Sequence, residues 1–247
     1  PFLTVTRVIC FFFGFSFFYI SLTFMSLAEA NALFFSSPFF VSILATIFLK
    51  EQVGIRRWSA ILVGFIGVFI VLNPDFNNFN YMKLAPVFCA LCYSISMTIT
   101  KITSDKDNVY TQMIHLYIGA TIISILFFIF TGKGQFNNFS DPTFQFIFRE
   151  WGTNSSFSVP FIIAMGTVAT FSFYFVFNAY STASPSVVSL YEYSLIIWSI
   201  LTGYILFNNI PTLRTFTGVV LIISAGIYIY MREKTKDQMI ATDTPNR

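Results

Sequence analysis

The chain has 247 residues, 55% of them hydrophobic and 10% charged, with a mean hydropathy of +0.72 and a formal net charge of +3. A soluble domain carries about 25% charged residues to meet water, so this composition excludes an ordinary water-soluble globule and makes lipid the natural solvent for most of the surface. The small charge is spread along the chain without a basic stripe, which leaves no nucleic-acid footprint.

A membrane-crossing helix needs about 20 mostly apolar residues, because the hydrocarbon core is about 30 Å thick and each residue rises about 1.5 Å. Eight segments qualify, at 7–25, 28–49, 56–72, 83–101, 109–131, 157–179, 185–207 and 213–231. The fold class expected is therefore all-α integral membrane, with eight transmembrane helices. A β-barrel would need segments of about ten residues with alternating polarity, and these segments are not of that kind.

In chain order, the first segment carries Arg7 and Cys10. The second is interrupted by Ser36, Ser37 and Pro38 and ends in the charged turn Lys50 to Arg57. A proline inside a membrane helix frees a backbone carbonyl that a serine can satisfy or a cavity can expose. The third segment holds Gly64 and Gly67, read as small packing residues, and closes at Asn73-Pro74-Asp75. The fourth carries Cys89-Ala90-Leu91-Cys92, which has C-x-x-C form but lies in an apolar helix without a second pair; packing is the reading preferred to redox or zinc chemistry. The same helix offers Tyr93, Ser94 and Ser96 as cavity polar groups.

His115, the single histidine, lies in the fifth segment and is either a proton relay or a hydrogen-bonded packing residue. With no Cys/His/Asp cluster beside it, no metal site is expected. The long connection from Thr131 to Ser156 is polar, and its Phe144 to Trp151 stretch suits the membrane interface. The seventh segment carries Glu192, flanked by Tyr191 and Tyr193, about seven residues or roughly 11 Å into the helix. A carboxylate at that depth is costly and is a functional hypothesis by default. It would bind a cationic or zwitterionic solute or carry a coupling proton; the alternative is a structural hydrogen bond between helices. Trp198 is read as core, and Glu29 as interfacial.

Lysine and arginine set the orientation. If Arg7 is cytoplasmic, that side also holds Lys50, Arg56, Arg57, Lys101, Lys106, Arg232, Lys234, Lys236 and Arg247, against Lys83, Lys133, Arg149 and Arg214 opposite. The C-terminus is expected in the cytoplasm of a cell with this protein in its inner membrane. A weak internal repeat relates the stretch from Ser26 to that from Ser181, with turns on opposite membrane sides, an inverted repeat of the kind found in secondary transporters.

The stretch Ala28-Glu29-Ala30, Ser37-Pro38, Phe48-Leu49-Lys50-Glu51, Arg57-Trp58 and Gly64-Phe65-Ile66-Gly67-Val68 resembles the EamA domain of the drug/metabolite transporter superfamily. Glu192-Tyr193, Gly203-Tyr204, Phe207, Pro211, Gly218 and Ser224-Ala225-Gly226 resemble its second copy. The resemblance implies a ten-helix fold of two inverted five-helix repeats, so the first two helices of that pattern are expected to be missing from this chain. It divides the chain into 1–103 (the rest of the first repeat plus the first helix of the second), 104–231 (the rest of the second repeat) and a polar tail, 232–247. Asn208-Asn209 replaces the glutamate expected after Phe207.

These readings lead to a secondary transporter of a small organic metabolite, amino-acid-like, amine, nucleoside-derived or vitamin, working by alternating access. No nucleotide-binding loop of G-x-x-x-x-G-K-S/T form is present, so a proton or solute gradient would supply the energy. The substrate-binding residues expected are Glu192, Tyr193, Ser36, Ser37, Pro38 and Tyr93; Glu192 and His115 are the proton-coupling candidates. No enzyme activity and no cofactor are expected. The partners expected are a small-molecule solute, the lipid bilayer and, as an option, a second copy in a homodimer, with no nucleic acid. A non-transporting scaffold is the alternative, ahead of an intramembrane enzyme, which would need a nucleophile and base or a metal pair that the sequence lacks.

Overall fold

The computed structural model describes residues 2–50, 55–72, 81–140, 142–151, 159–192, 194–208 and 212–235. It is an all-α bundle: α1 Phe2–Ser21, α2 Leu27–Phe34, α3 Ser37–Phe48, α4 Ile55–Leu72, α5 Ala85–Thr103 (entered through a 3₁₀ turn, Tyr81–Leu84), α6 Val109–Thr131, α7 Pro142–Phe148, α8 Val159–Thr182, α9 Pro185–Tyr191, α10 Ser194–Phe207 and α11 Leu213–Thr235. Five spans are long and apolar enough to cross a membrane: Phe2–Ser21, Leu27–Phe48, Tyr81–Thr103, Val109–Thr131 and Val159–Thr182; Trp58–Val71 and Leu213–Tyr228 are shorter apolar stretches.

The local chemistry explains several boundaries. The first helix stops at Ser21 rather than running to residue 25, because the Phe24 and Met25 N–H groups turn back onto the Ser21 carbonyl. A capping box then starts α2: the Ser26 side chain accepts from the Glu29 N–H, and the Glu29 carboxylate accepts from the Ser26 N–H. The Asn108 side chain caps α6 by accepting from the Thr111 N–H at 2.8 Å. The helix α11 continues to Thr235, past the start expected for the tail at 232; residues 236–247 lie outside the described ones.

Two spans are broken, and they cross each other. The α2–α3 break falls at the serines and proline singled out by sequence. The α9–α10 break falls at Glu192, where a continuous helix was expected; no proline or glycine marks it. In the register of the internal repeat the two breaks are counterparts. The contacts respect that symmetry: α2 packs on α10, while α3 packs on α9. Around this crossing, α4 pairs with α11, and α1 pairs with α5 and α6.

The helix pair α4–α11 is held by backbone approach. A Cβ on Gly67 would lie 2.8 Å from the Gly218 carbonyl oxygen, and one on Gly218 would lie 2.7 Å from the Gly67 oxygen. Lipid removes the hydrophobic drive between helices, so close packing of small residues does the work. A side chain at Gly64 would run into the Phe39 ring. That ring belongs to one buried cluster with Phe35, Leu33 and, across the interface, Val219 and Ile222. A second cluster joins Val8, Val41, Met97, Met113, Leu116 and Phe177. The faces of α6 and α8 carrying Ile118, Ile122, Ile129, Ile162 and Val168 point outward, as lipid-facing surface should. The connection between α6 and α8 is an aromatic belt, with Phe139 stacked on Phe148 and Trp151 against Phe127 and Phe128.

Candidate functional site

The centre of the site is Glu192. The turn between α9 and α10 is made by its own backbone: its N–H donates to the Ser189 carbonyl at 3.3 Å, and its carbonyl accepts from the Leu195 N–H at 2.9 Å. Tyr93 of α5 donates its phenol to Glu192 Oε1 at 2.5 Å, and Tyr180 of α8 donates to the same oxygen at 3.0 Å. Helical side chains lean toward their own N-terminus, so Tyr180, near the end of α8, reaches back into the bundle to meet the break. The other carboxylate oxygen, Oε2, is buried and has no hydrogen-bond partner among the described residues. Among the described residues no lysine, arginine or histidine side chain hydrogen-bonds this carboxylate. Aromatic rings fix the two phenols: Tyr93 lies 5.4 Å from Phe34, 6.4 Å from Phe15 and 6.4 Å from Tyr180, all edge-on.

The α2–α3 break supplies the facing wall. Ser36, Ser37 and Pro38 are all buried. Ser36 donates to the Leu33 carbonyl at 2.8 Å, spending its hydroxyl on the kink. The Ser94 hydroxyl on α5 donates to the Ala90 carbonyl of its own helix at 2.6 Å and shares that proton with the Ser37 carbonyl at 3.1 Å, which brings the break against the Tyr93 helix. The Ser37 and Ser96 hydroxyls are buried without a partner. Unsatisfied buried polar groups are expensive, and here they gather on helices that meet at the crossing.

The structure thus brings Glu192, Tyr93 and the serine–proline break into one region. It adds Tyr180, which sequence reasoning missed because the sixth segment was ended at residue 179; only its partner across the bundle distinguishes it from the other tyrosines. Tyr193 lies outside the described residues. Tyr191 points outward, 59% exposed. His115 is exposed on α6 rather than packed, the second of the two roles expected of it. Trp198 is 61% exposed rather than core, because α10 presents that face outward.

Arg7, counted on the cytoplasmic side, is fully buried. Its guanidinium donates to Gln112 Oε1 at 2.6 Å, to the Gln112 carbonyl at 3.2 Å and to Thr103 Oγ1 at 3.4 Å, and lies 6.0 Å from the Phe177 ring centre. These acceptors let the charge be buried without a carboxylate in direct contact, and they staple α1 to the α5–α6 hairpin. Near that end Lys101 also donates to the Ser181 carbonyl at 3.0 Å. At the opposite end is a cavity of about 710 Å³, lined by Glu29, Leu33, Lys83, Arg214 and their neighbours. Leu33 of its wall precedes Phe34, whose ring packs on Tyr93.

A broken-helix crossing with a buried carboxylate at its centre suits transport of a solute between two halves, and comparison with known proteins decides the family. Residues 1–73 and 82–231 match the EamA-like transporter family. The chain belongs to that family. It is a multi-pass membrane protein and a transporter of small metabolites. It is 27% identical to a Rickettsia conorii S-adenosylmethionine uptake transporter over 95% of this chain and 73% of that protein. It is 26% identical to a Rhizobium johnstonii riboflavin transporter over 96% of this chain and 73% of that one. A solved crystal structure shares the fold with a TM-score of 0.64 at 14% identity, over 96% of this chain and 79% of the other. The relatives carry the names of transporters, not enzymes.

Proposed function

We propose that this chain carries a cationic or zwitterionic metabolite across the cytoplasmic membrane by alternating access, with S-adenosylmethionine as the leading solute. The observation that carries the reading is the Glu192 carboxylate, with one oxygen fixed by two phenols and the other buried and unbonded. A fixed acceptor at membrane depth, costing about 3 kcal/mol or more to insert, is offset by a cation or donor on the solute. S-adenosylmethionine offers a sulfonium and an ammonium; riboflavin, the cargo named for other relatives, is neutral and makes poorer use of that charge.

In this reading Glu192, Tyr193, Tyr93, Ser36, Ser37 and Pro38 form the substrate-binding set, joined by Tyr180. Glu192 also carries the coupling proton. The chain divides as 1–103, the rest of the first repeat plus the first helix of the second, and 104–231, the rest of the second; the repeats rock about the crossing, and the C-terminus is cytoplasmic. The Arg7 staple and the Lys101 contact close the cytoplasmic side while the 710 Å³ cavity faces the outside.

Purified protein in proteoliposomes, tested with labelled S-adenosylmethionine and with riboflavin under an imposed proton gradient, examines the proposal. Saturable S-adenosylmethionine uptake that Glu192→Gln abolishes is expected. Uptake untouched by that substitution removes Glu192 from the site, and riboflavin uptake without S-adenosylmethionine uptake overturns the choice of solute.

A further inference from the structure

Among the described residues, the lining of the cavity of about 710 Å³ includes none of Glu192, Tyr93 and Tyr180. Its wall carries two cations, Lys83 from the 3₁₀ turn and Arg214 from the first turn of α11, and a single acidic residue among those described, Glu29. Glu29 is already engaged: its carboxylate accepts from the Ser26 N–H in the capping box at 3.1 Å. Thr212, also on the wall, caps α11 by accepting from the Thr215 N–H at 3.2 Å. The first N–H groups of a helix have no intrahelical acceptor and mark its positive end, so the start of this 23-residue helix adds to the field of the two side chains.

We infer that this vestibule captures the carboxylate or another anionic group of the incoming solute before its cationic part reaches Glu192. The inference rests on the transport reading for the identity of the solute, the inward direction and the side the cavity faces. Opposite charges on one metabolite would then meet two separate sites: an anionic group at Lys83 and Arg214 outside, a cationic group at Glu192 within. The two cations attract a carboxylate at short range, an effect that salt weakens, and so orient a solute whose overall charge is positive. An anionic lipid headgroup has the same chemistry and is the competing occupant.

Three measurements on the full chain test the vestibule. In the first, Leu213→Cys, placed on the cavity wall, is reacted with anionic and with cationic methanethiosulfonate reagents. The anionic reagent is expected to be favoured, and Lys83→Gln with Arg214→Gln to reduce that preference by about 3- to 10-fold, as expected for two partly exposed charges. An unchanged preference overturns the inference whether or not any solute is transported. In the second, KM is compared for S-adenosylmethionine and its decarboxylated analogue. The double substitution should raise KM for the former, and leave unchanged or lower it for the latter, whose positive charges the wall repels; an equal rise in both overturns carboxylate capture. In the third, vesicles of phosphatidylcholine alone are compared with vesicles containing phosphatidylglycerol. A substitution effect that appears only with the anionic lipid assigns the cations to a headgroup and overturns capture of solute. Loss of uptake on Glu192→Gln with the reagent preference intact separates the inner site from the outer one.

Discussion

Removing one phenol from Glu192 is the most direct probe of the site. Tyr93→Phe deletes the O–H that donates to Oε1 at 2.5 Å but keeps the ring that packs on Phe15, Phe34 and Tyr180. A hydrogen bond to a charged acceptor contributes about 1.5–3 kcal/mol in soluble proteins, while side-chain bonds between membrane helices average about 0.6 and reach about 1.7 kcal/mol. Tyr180 still donates to the same oxygen at 3.0 Å, so part of the orientation survives. We expect a loss of about 1–1.5 kcal/mol in solute affinity, which is about 5- to 12-fold in Kd or KM. Tyr180→Phe, which removes the longer bond, should cost less. The double substitution should cost more than the two singles together, because each phenol covers for the other. The assay is concentration-dependent S-adenosylmethionine uptake and equilibrium binding in reconstituted protein, with Tyr204→Phe, 54% exposed, as the control. A Tyr93→Phe change under 2-fold with strictly additive singles refutes the claim that the phenols hold the carboxylate for the solute.

Other substitutions test the surrounding frame. Gly67→Val puts a branched side chain where the Gly218 carbonyl and Ile222 stand at 2.8 Å; it should separate α4 from α11 and lower the thermal midpoint in detergent by several degrees, an overpacking cost of about 1–3 kcal/mol. Gln112→Leu removes the main acceptors' side-chain half from Arg7 and leaves a buried cation short of bonds. It should cost about 3–5 kcal/mol if the staple cannot rearrange, read as lost folded yield, and Arg7→Met in the same background should restore yield. His115→Asn, on an exposed face, should leave both uptake and its dependence on a proton gradient unchanged; loss of the gradient dependence alone would return His115 to the coupling path. Ser94→Ala removes a proton shared between the Ala90 carbonyl at 2.6 Å and the Ser37 carbonyl at 3.1 Å and should cost no more than about 1 kcal/mol of stability, checked by thermal unfolding with bound and unbound solute.

Much of this protein was legible before any coordinates. Composition alone required lipid, since 10% charged residues cannot cover a soluble globule of 247 residues. Span length located the helices, and α6, Val109–Thr131, matches its expected bounds. Proline chemistry placed the first break at Ser36–Pro38, because a missing N–H and a freed carbonyl are properties of the residues themselves. Membrane depth made Glu192 a candidate for the same reason: the cost of a carboxylate in hydrocarbon depends on where it lies along a span.

The tertiary structure decided what those residues touch. The second break carries no proline or glycine; the turn at Glu192 coincides with phenols from α5 and α8 converging on one oxygen, and no periodicity within residues 185–207 records those two helices. Tyr180 became part of the site, and Tyr191, next to Glu192 in sequence, turned outward, because helical neighbours face different directions while residues from separate helices meet at a crossing. Arg7, which charge counting places only on one side of the membrane, is buried because Gln112 and Thr103, about a hundred residues away, supply its acceptors. Spacing and hydropathy are local quantities and fix where the chain enters and leaves the membrane; the partner of a buried charge is a long-range quantity and exists only once the helices have packed.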